Sequence, residues 1–433
     1  MSAPSIDVTT ADPGALAELH QTLRAEYATL VDRGLKLDLT RGKPSSAQLA
    51  LSDPMLALPG EGDFRAKDGT DCRNYGGLTG IDEIRELWGQ IFDIPTSQVI
   101  EGGNSSLGLM HDCLTHFVLN GTGAGATPWG QVPGGVTVLC PVPGYDRHFT
   151  ILEGLGVRMV TVPMTSTGPD MDAVKSLVAD DASVKAIWAM PSYSNPTGVS
   201  YTAGVARELA EMSTAAADFR ILWDNAYAVH HLTGAEPKVP DILTLTAEAG
   251  NPDRVVIFGS TSKITAAGSG LSFFGGSPAN VAWMQKFLAR RTIGPDKINE
   301  LRHFRFLPDY LSVQALMRRH REIIAPKFTR VREILEAELA GTGTAEWTTP
   351  TGGYFISLDV LPGTASRVVA LAKAAGIALT PAGATFPYGK DPGDRNIRIA
   401  PTFPSPEDVA TATEALTLCV LLAATERRLG TGT

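Results

Sequence analysis

Cysteine is scarce in this 433-residue chain, and Cys72, Cys113, Cys140 and Cys419 stand far apart, with no CxxC spacing and no neighbouring histidine pair. That pattern supports neither a disulfide framework nor a metal site, and the expected state is four buried free thiols. Basic charge is short as well. Thirty-seven Lys and Arg against 46 Asp and Glu leave a net charge of −9, whereas a surface that grips a nucleic-acid backbone needs a positive face. No stretch approaches the roughly 18 consecutive apolar residues of a membrane span, and the first residues carry no apolar core of a secretion signal. The expectation is a cytoplasmic protein that handles small molecules. Phosphate-loop signatures are missing too. Gly42-Lys43-Pro44 cannot serve as one, because proline has no backbone N–H to offer a phosphate. Gly121-x-Gly123-x-Gly125 follows a helical pattern rather than a strand, which argues against a dinucleotide loop and a dehydrogenase. The stretch 121–135 reads as a surface loop.

What the chain does contain is a globular composition, 43% hydrophobic and 19% charged, at a length that favours two cores over one. Apolar β-rich runs at 98–101, 136–141, 158–163, 184–190, 220–223, 254–258 and 271–274 alternate with helical stretches such as 107–120 and 203–217. This alternation predicts an α/β fold, with a mainly parallel seven-stranded sheet covered by helices. After residue 309 the order changes to a long helix at 311–339, a strand at 353–358, a helix at 365–375, a strand at 396–401 and a helix at 406–424. The expected organisation is therefore a large domain at 66–309 and a smaller α+β domain at 310–433, with residues 1–65 joining the smaller one.

Ligands of such sheets bind beyond the carboxyl ends of the strands. Polar residues collect there: Asn104 to Ser106, Tyr145, Asn195, Asp224, and the run Ser260-Thr261-Ser262-Lys263. Lys263 is prominent, since a lysine that closes a hydroxyl-rich turn after a buried strand can be a nucleophile. Asp224 ends the strand Ile221-Leu222-Trp223, where a carboxylate is costly unless a cation meets it. Asn104-Ser105-Ser106 lies at a strand-to-helix turn, which favours an anion. Arg398 sits mid-strand, in a place suited to a two-donor grip on a carboxylate.

The set Asn195-Pro196-Thr197-Gly198, Asp224-x-x-Tyr227, Ser260-x-Ser262-Lys263 and Arg398 resembles the fold-type I pyridoxal-phosphate aminotransferases. Tyr75-x-x-x-x-Gly80-x-x-x-Ile84-Arg85 and Pro381-x-Gly383-x-x-Phe386 extend the likeness over most of the chain. Leu39-Thr40-Arg41-Gly42-Lys43-Pro44 and Lys263-Ile264-Thr265 resemble the actinobacterial aspartate aminotransferase type, related to the aminotransferase-like half of the MocR regulators. The resemblance implies pyridoxal 5'-phosphate as cofactor and ping-pong transamination between L-aspartate and 2-oxoglutarate. Lys263 would be the Schiff-base lysine and proton shuttle, Asp224 the partner of the ring nitrogen, and Tyr227 and Asn195 donors to the ring hydroxyl. Tyr145 would stack on the ring, and Asn104, Ser105, Ser106, Ser260 and Ser262 would hold the phosphate. Arg398, with Asn195, Gly42 and Arg41, would receive the substrate. Tyr75 would reach across a homodimer interface.

The same fold could instead serve another amino acid (aromatic, alanine or kynurenine-type) or a β-lyase reaction. A MocR-like regulator fits poorly, because only a short segment precedes Arg41. One departure from the family pattern stands out: the arginine commonly found eight positions after the lysine is Leu271 here. Lys43, Arg291 and Lys297 are candidate replacements for it. Arg291, Arg302 and His303 join Arg41 as candidates for a second substrate carboxylate.

Overall fold

The computed structural model describes residues 6–40, 42–123 and 125–431. Its centre is an eight-stranded sheet in the spatial order Val99–Glu101, Ser272–Gly276, Val255–Ser260, Arg220–Asp224, Val184–Ala189, Thr137–Val142, Arg158–Thr165 and Gly168–Pro169. All seven expected strands are present, and a two-residue edge strand, Gly168–Pro169, adds to them. Proline at the sheet edge sacrifices no ladder bond, which is why it is tolerated there. Ser272–Gly276 and Gly168–Pro169 run antiparallel to their neighbours, and the remaining pairs are parallel.

Both faces of the sheet are apolar because both are covered. Ile221, Val255 and Ile257 point into one buried cluster with Ala206, Leu209 and Ile242 of the covering helices. Leu222, Val256 and Phe258 point into another, with Leu109, Cys113 and Phe117 on the far side. Strands covered in this way lose the in–out alternation and read as continuous apolar runs. All four cysteines are buried and free.

A third core forms around the antiparallel strands Ala345–Trp347, Ile356–Val360 and Asn396–Ile399. Leu23 and Leu30 of the helix Pro13–Asp32 join it, as does the helix Pro406–Leu429. This last helix corrects the expectation that no stretch is apolar enough for a membrane span: by length and composition it qualifies. It is a core helix here, with every residue from Ala415 to Glu426 buried. The 30-residue helix Tyr310–Leu339 links the cores, placing Val313, Leu316 and Met317 in one and Ile324, Phe328 and Val331 in the other.

The helix expected at 203–217 stops early, at Ala203–Glu211. Arg254 supplies the reason. Its Nη1 donates to the carbonyls of Ala210 at 3.0 Å and Met212 at 2.8 Å, satisfying acceptors that a terminating helix leaves unpaired.

Candidate active site

A cavity of about 510 Å³ opens where the sheet meets the third core. The carboxyl ends of three parallel strands deliver Tyr145, Asn195 and Asp224 to it, and Gly42, Phe355, Thr380 and Arg398 close it from the other side. Lys263, Tyr227 and Ser106 complete the set of expected residues that line it.

Lys263 is presented by a tight turn. The Thr261 amide donates to the Leu271 carbonyl at 2.9 Å, and the Thr261 carbonyl accepts from Ile264 at 2.8 Å and Thr265 at 2.9 Å. Thr261 Oγ1 also accepts from the Leu271 amide at 2.8 Å, so both ends of the turn are fixed. The Lys263 ammonium lies 5.0 Å from the centre of the Tyr227 ring. Burial lowers its pKa below the ordinary lysine value, and the negative charge of Asp224 opposes part of that shift. A depressed lysine pKa puts more of the free amine within reach at neutral pH.

Asp224 is 2% exposed. One carboxylate oxygen accepts from His148 Nε2 at 2.9 Å, and the imidazole stacks on the Trp188 indole at 3.8 Å with the rings nearly parallel. The other oxygen, Oδ1, is buried without a hydrogen-bond partner. An unsatisfied buried acceptor costs about 1–3 kcal/mol, so the site is shaped for a donor that the protein alone does not provide. A planar, protonated ring nitrogen has the required chemistry, and the pyridine ring of pyridoxal phosphate fits this donor-deficient carboxylate beside a buried lysine. Tyr145 and Tyr227 remain protonated and able to donate: burial, reinforced by the nearby acids, pushes Tyr145 up to about 12 and raises Tyr227 well above its usual value.

Arg398 is held by three side chains. Its Nη1 donates to Asp146 Oδ1 at 2.8 Å and to Asn195 Oδ1 at 3.3 Å, and its Nη2 donates to Thr380 Oγ1 at 3.3 Å. The guanidinium lies 5.0 Å from the Phe355 ring centre. Gly42 packs so closely on that ring that a Cβ at this position would collide with it.

Other expected residues do not line the cavity. Asn104 reaches instead toward the Gly268 carbonyl at 3.5 Å. Ser105 caps the helix Ser106–Asn120 by accepting from the Gly108 amide at 3.2 Å. Ser260 and Ser262 are 2.6 Å apart and bond to each other. Tyr75 is 81% exposed and is not among the residues that line the cavity; its loop is held by Lys297 Nζ, which donates to the Asn74 and Gly76 carbonyls at 2.8 and 2.6 Å. Arg41 lies outside the described residues. Leu271 is buried in the core, so its position faces no ligand. Among the described cations considered for phosphate or a second carboxylate, only Lys43 lines the cavity, with its ammonium 3.8 Å above the Phe403 ring. Arg291 pairs with Asp112 at 3.1 Å, Arg302 binds the Leu58 carbonyl at 2.9 Å, and His303 is buried against Thr265 at 3.0 Å. Sequence reasoning passed over Asp146, Arg147, His148 and Phe355. Asp146 to His148 follow directly on Tyr145, and that adjacency was the one available signal.

The sheet, the turn-borne lysine and the facing arginine define an aminotransferase of fold type I. The family model for aspartate amino-transferases matches residues 11–432, and the chain belongs to that family. An aminotransferase of Mycolicibacterium smegmatis is 54% identical over 95% of this chain and 96% of its own length. The aspartate aminotransferase of Corynebacterium glutamicum is 50% identical over 98% of this chain and 97% of its own. The crystal structure of an aspartate transaminase from Corynebacterium glutamicum superposes with a TM-score of 0.95, at 50% identity, covering 98% of this chain and all of that one.

Proposed function

We propose that the cavity binds pyridoxal 5'-phosphate and that the enzyme moves the amino group of L-aspartate to 2-oxoglutarate in a ping-pong cycle. The observation that carries the reading is the pairing, in one cavity, of a lysine with a lowered pKa and a buried carboxylate oxygen that lacks a donor. The cofactor, when bound, supplies an electron sink for the charge left as the substrate's Cα proton departs. Lys263 would hold it through the side-chain amine and would carry the proton that leaves the substrate's Cα. Asp224, oriented by His148, would hold a proton on the ring nitrogen, and Tyr227 and Asn195 would donate to the ring hydroxyl. Tyr145 covers the ring face. The phosphate would be held at the N-terminus of the helix Ser106–Asn120, where Ser106 lines the cavity; Asn104, Ser105, Ser260 and Ser262 would join it by turning from their present partners, and Lys43 would leave the Phe403 ring to supply the charge that Leu271 does not.

Arg398 receives the substrate's α-carboxylate with a bidentate grip. Aspartate is the favoured donor because relatives at half identity over the full length include one named for it. We further propose a cytoplasmic homodimer in which Tyr75 reaches the partner's phosphate, with the chain dividing near residues 65 and 309 into large and small domains.

Two measurements test this reading. Addition of pyridoxal phosphate to the purified protein should give a near-visible absorbance band, and a chain that stays colourless would end the cofactor assignment. Half-reaction rates should be fastest for aspartate and glutamate. Equal rates for alanine or phenylalanine would end the dicarboxylate assignment while leaving the aminotransferase in place.

A further inference from the structure

A nearly buried guanidinium needs a counter-charge even when no substrate is bound. Arg398, with 7% of its side chain exposed, finds one in Asp146 at 2.8 Å. The other oxygen of the same carboxylate lies 3.9 Å from Arg147 Nε. One carboxylate thus stands between two arginines, a buried one and one whose side chain is 47% exposed. All three residues line the same cavity. Lys43, its other exposed-side cation, is occupied by the Phe403 ring.

A substrate carboxylate that docks on Arg398 meets a position already held by an anion. Asp146 occupies only Nη1 of Arg398, and Nε is buried without a partner, but two carboxylates on one guanidinium repel each other, which favours departure of the resident one. Asp146 has somewhere to go: it is the first residue of the helix Asp146–Gly154, where an acid is favoured by the helix terminus whichever arginine it faces. Arg147 is the next residue in the chain, within reach of a change in side-chain rotamer alone.

We propose that Asp146 is a built-in stand-in for the substrate's carboxylate, which holds Arg398 in position in the empty site and passes to Arg147 when substrate arrives. The proposal rests on Arg398 as the carboxylate receptor. Asp146 sets substrate affinity by competition, and Arg147 is a positioning residue that acts through Asp146 rather than by touching substrate. The effect is independent of the substrate's side chain, because it concerns the carboxylate that every amino acid carries.

The test is calorimetric titration of the pyridoxal phosphate-loaded enzyme with two unreactive probes, succinate with two carboxylates and butyrate with one. Removal of a charged hydrogen-bonding competitor should tighten both probes about tenfold in Asp146→Asn, and equally in Asp146→Ser, which also starts a helix without charge. Arg147→Gln should weaken both probes about threefold, as expected for loss of a part-exposed ion-pair partner. The double variant should match Asp146→Asn alone. Unchanged or weaker binding in both Asp146 variants overturns the proposal, since Asp146 would then merely orient Arg398. An Arg147→Gln loss that persists undiminished in the double variant also overturns it, because Arg147 would then bind the ligand itself. Arg398→Lys separates the two levels: wild-type binding of both probes there removes Arg398 as the receptor, whereas weak binding there with unaltered Asp146 variants removes only the hand-over.

Discussion

Gly42 has no room for a side chain, because Phe355 occupies the space a Cβ would need and Phe355 in turn packs beneath Arg398. Gly42→Ala should therefore shift the ring and the guanidinium. A misplacement on the order of 1 Å costs up to about a hundredfold in rate, and a fall in kcat/KM of at least about tenfold is expected from steady-state kinetics, with the melting temperature little changed. Asp224→Asn makes a sharper case. The amide keeps the shape but removes the charge that faces the unpaired position, and kcat should fall by about 10²-fold or more, with the near-visible band of bound cofactor altered in position. An unaltered kcat would detach Asp224 from the chemistry.

At this scale the gathering of Lys263, Asp224, Asn195 and Arg398 in one cavity was legible, because strand ends can be located from pattern and ligands of such sheets bind there. The contacts that hold them were not. Asp146 meets Arg398 across 252 residues and His148 meets Asp224 across 76, separations that only the folded chain brings together. Ser105, Ser260 and Ser262 carry the right donors, but local geometry has turned them to a helix cap and to each other, an arrangement no spacing encodes.

Between elements, the helix Lys297–Phe306 and the strand Val99–Glu101 bring two acids to either side of Gly80. Glu101 Oε1 accepts from the Gly103 amide at 2.8 Å and Glu300 Oε2 from the Ile81 amide at 2.6 Å, while the second oxygen of each is buried and unpaired. Burial, with the other acid close by, raises Glu101 well above its ordinary value. Burial likewise pushes Glu300 up to about 7. The folded protein therefore keeps protons that the unfolded chain releases from about 4.5 upward. The Glu300 contribution to stability should fall as pH rises from there through about 7, and Glu101, raised as well, adds to the fall in the same direction. Glu300→Gln, which keeps an acceptor for Ile81 without the charge, should raise the melting temperature at pH 8 and give no gain at pH 4 in calorimetric scans. An equal gain at both values would show that charge is not the cause.

Element types were largely readable, since strands covered on both faces form dense apolar runs whose ends fall within two residues of those observed. The failures have identifiable causes. Gly168–Pro169 is too short to leave a pattern, and the helix Ala203–Glu211 ends where Arg254, 43 residues further on, collects its carbonyls.

For the whole molecule, alternation of strands and helices made the α/β class plain, and the change of order after residue 309 signalled the separate core around the smaller sheet. The helix Pro406–Leu429 was harder to place, because its middle is apolar on every side and carries no stripe that shows which face is inside. Assembly leads to a direct test. Tyr75 is exposed on a loop anchored by Lys297, and in the proposed dimer with shared sites it would serve the neighbouring cavity. Mixed subunits of Lys263→Ala and Tyr75→Ala should then regain activity, because half the sites of each hybrid carry neither change. Random mixing should restore roughly a quarter of wild-type sites, whereas a Tyr75 that acted within its own chain would give no more than the Tyr75→Ala subunits alone.

The central claim is that Lys263 holds the cofactor. Borohydride reduction of the pyridoxal phosphate-loaded protein, followed by peptide mapping, tests it most directly. One phosphopyridoxyl group per chain on Lys263, with neither label nor transamination in Lys263→Ala, is the predicted result. A label fixed on another lysine such as Lys43, or full transaminase activity in Lys263→Ala, would contradict it.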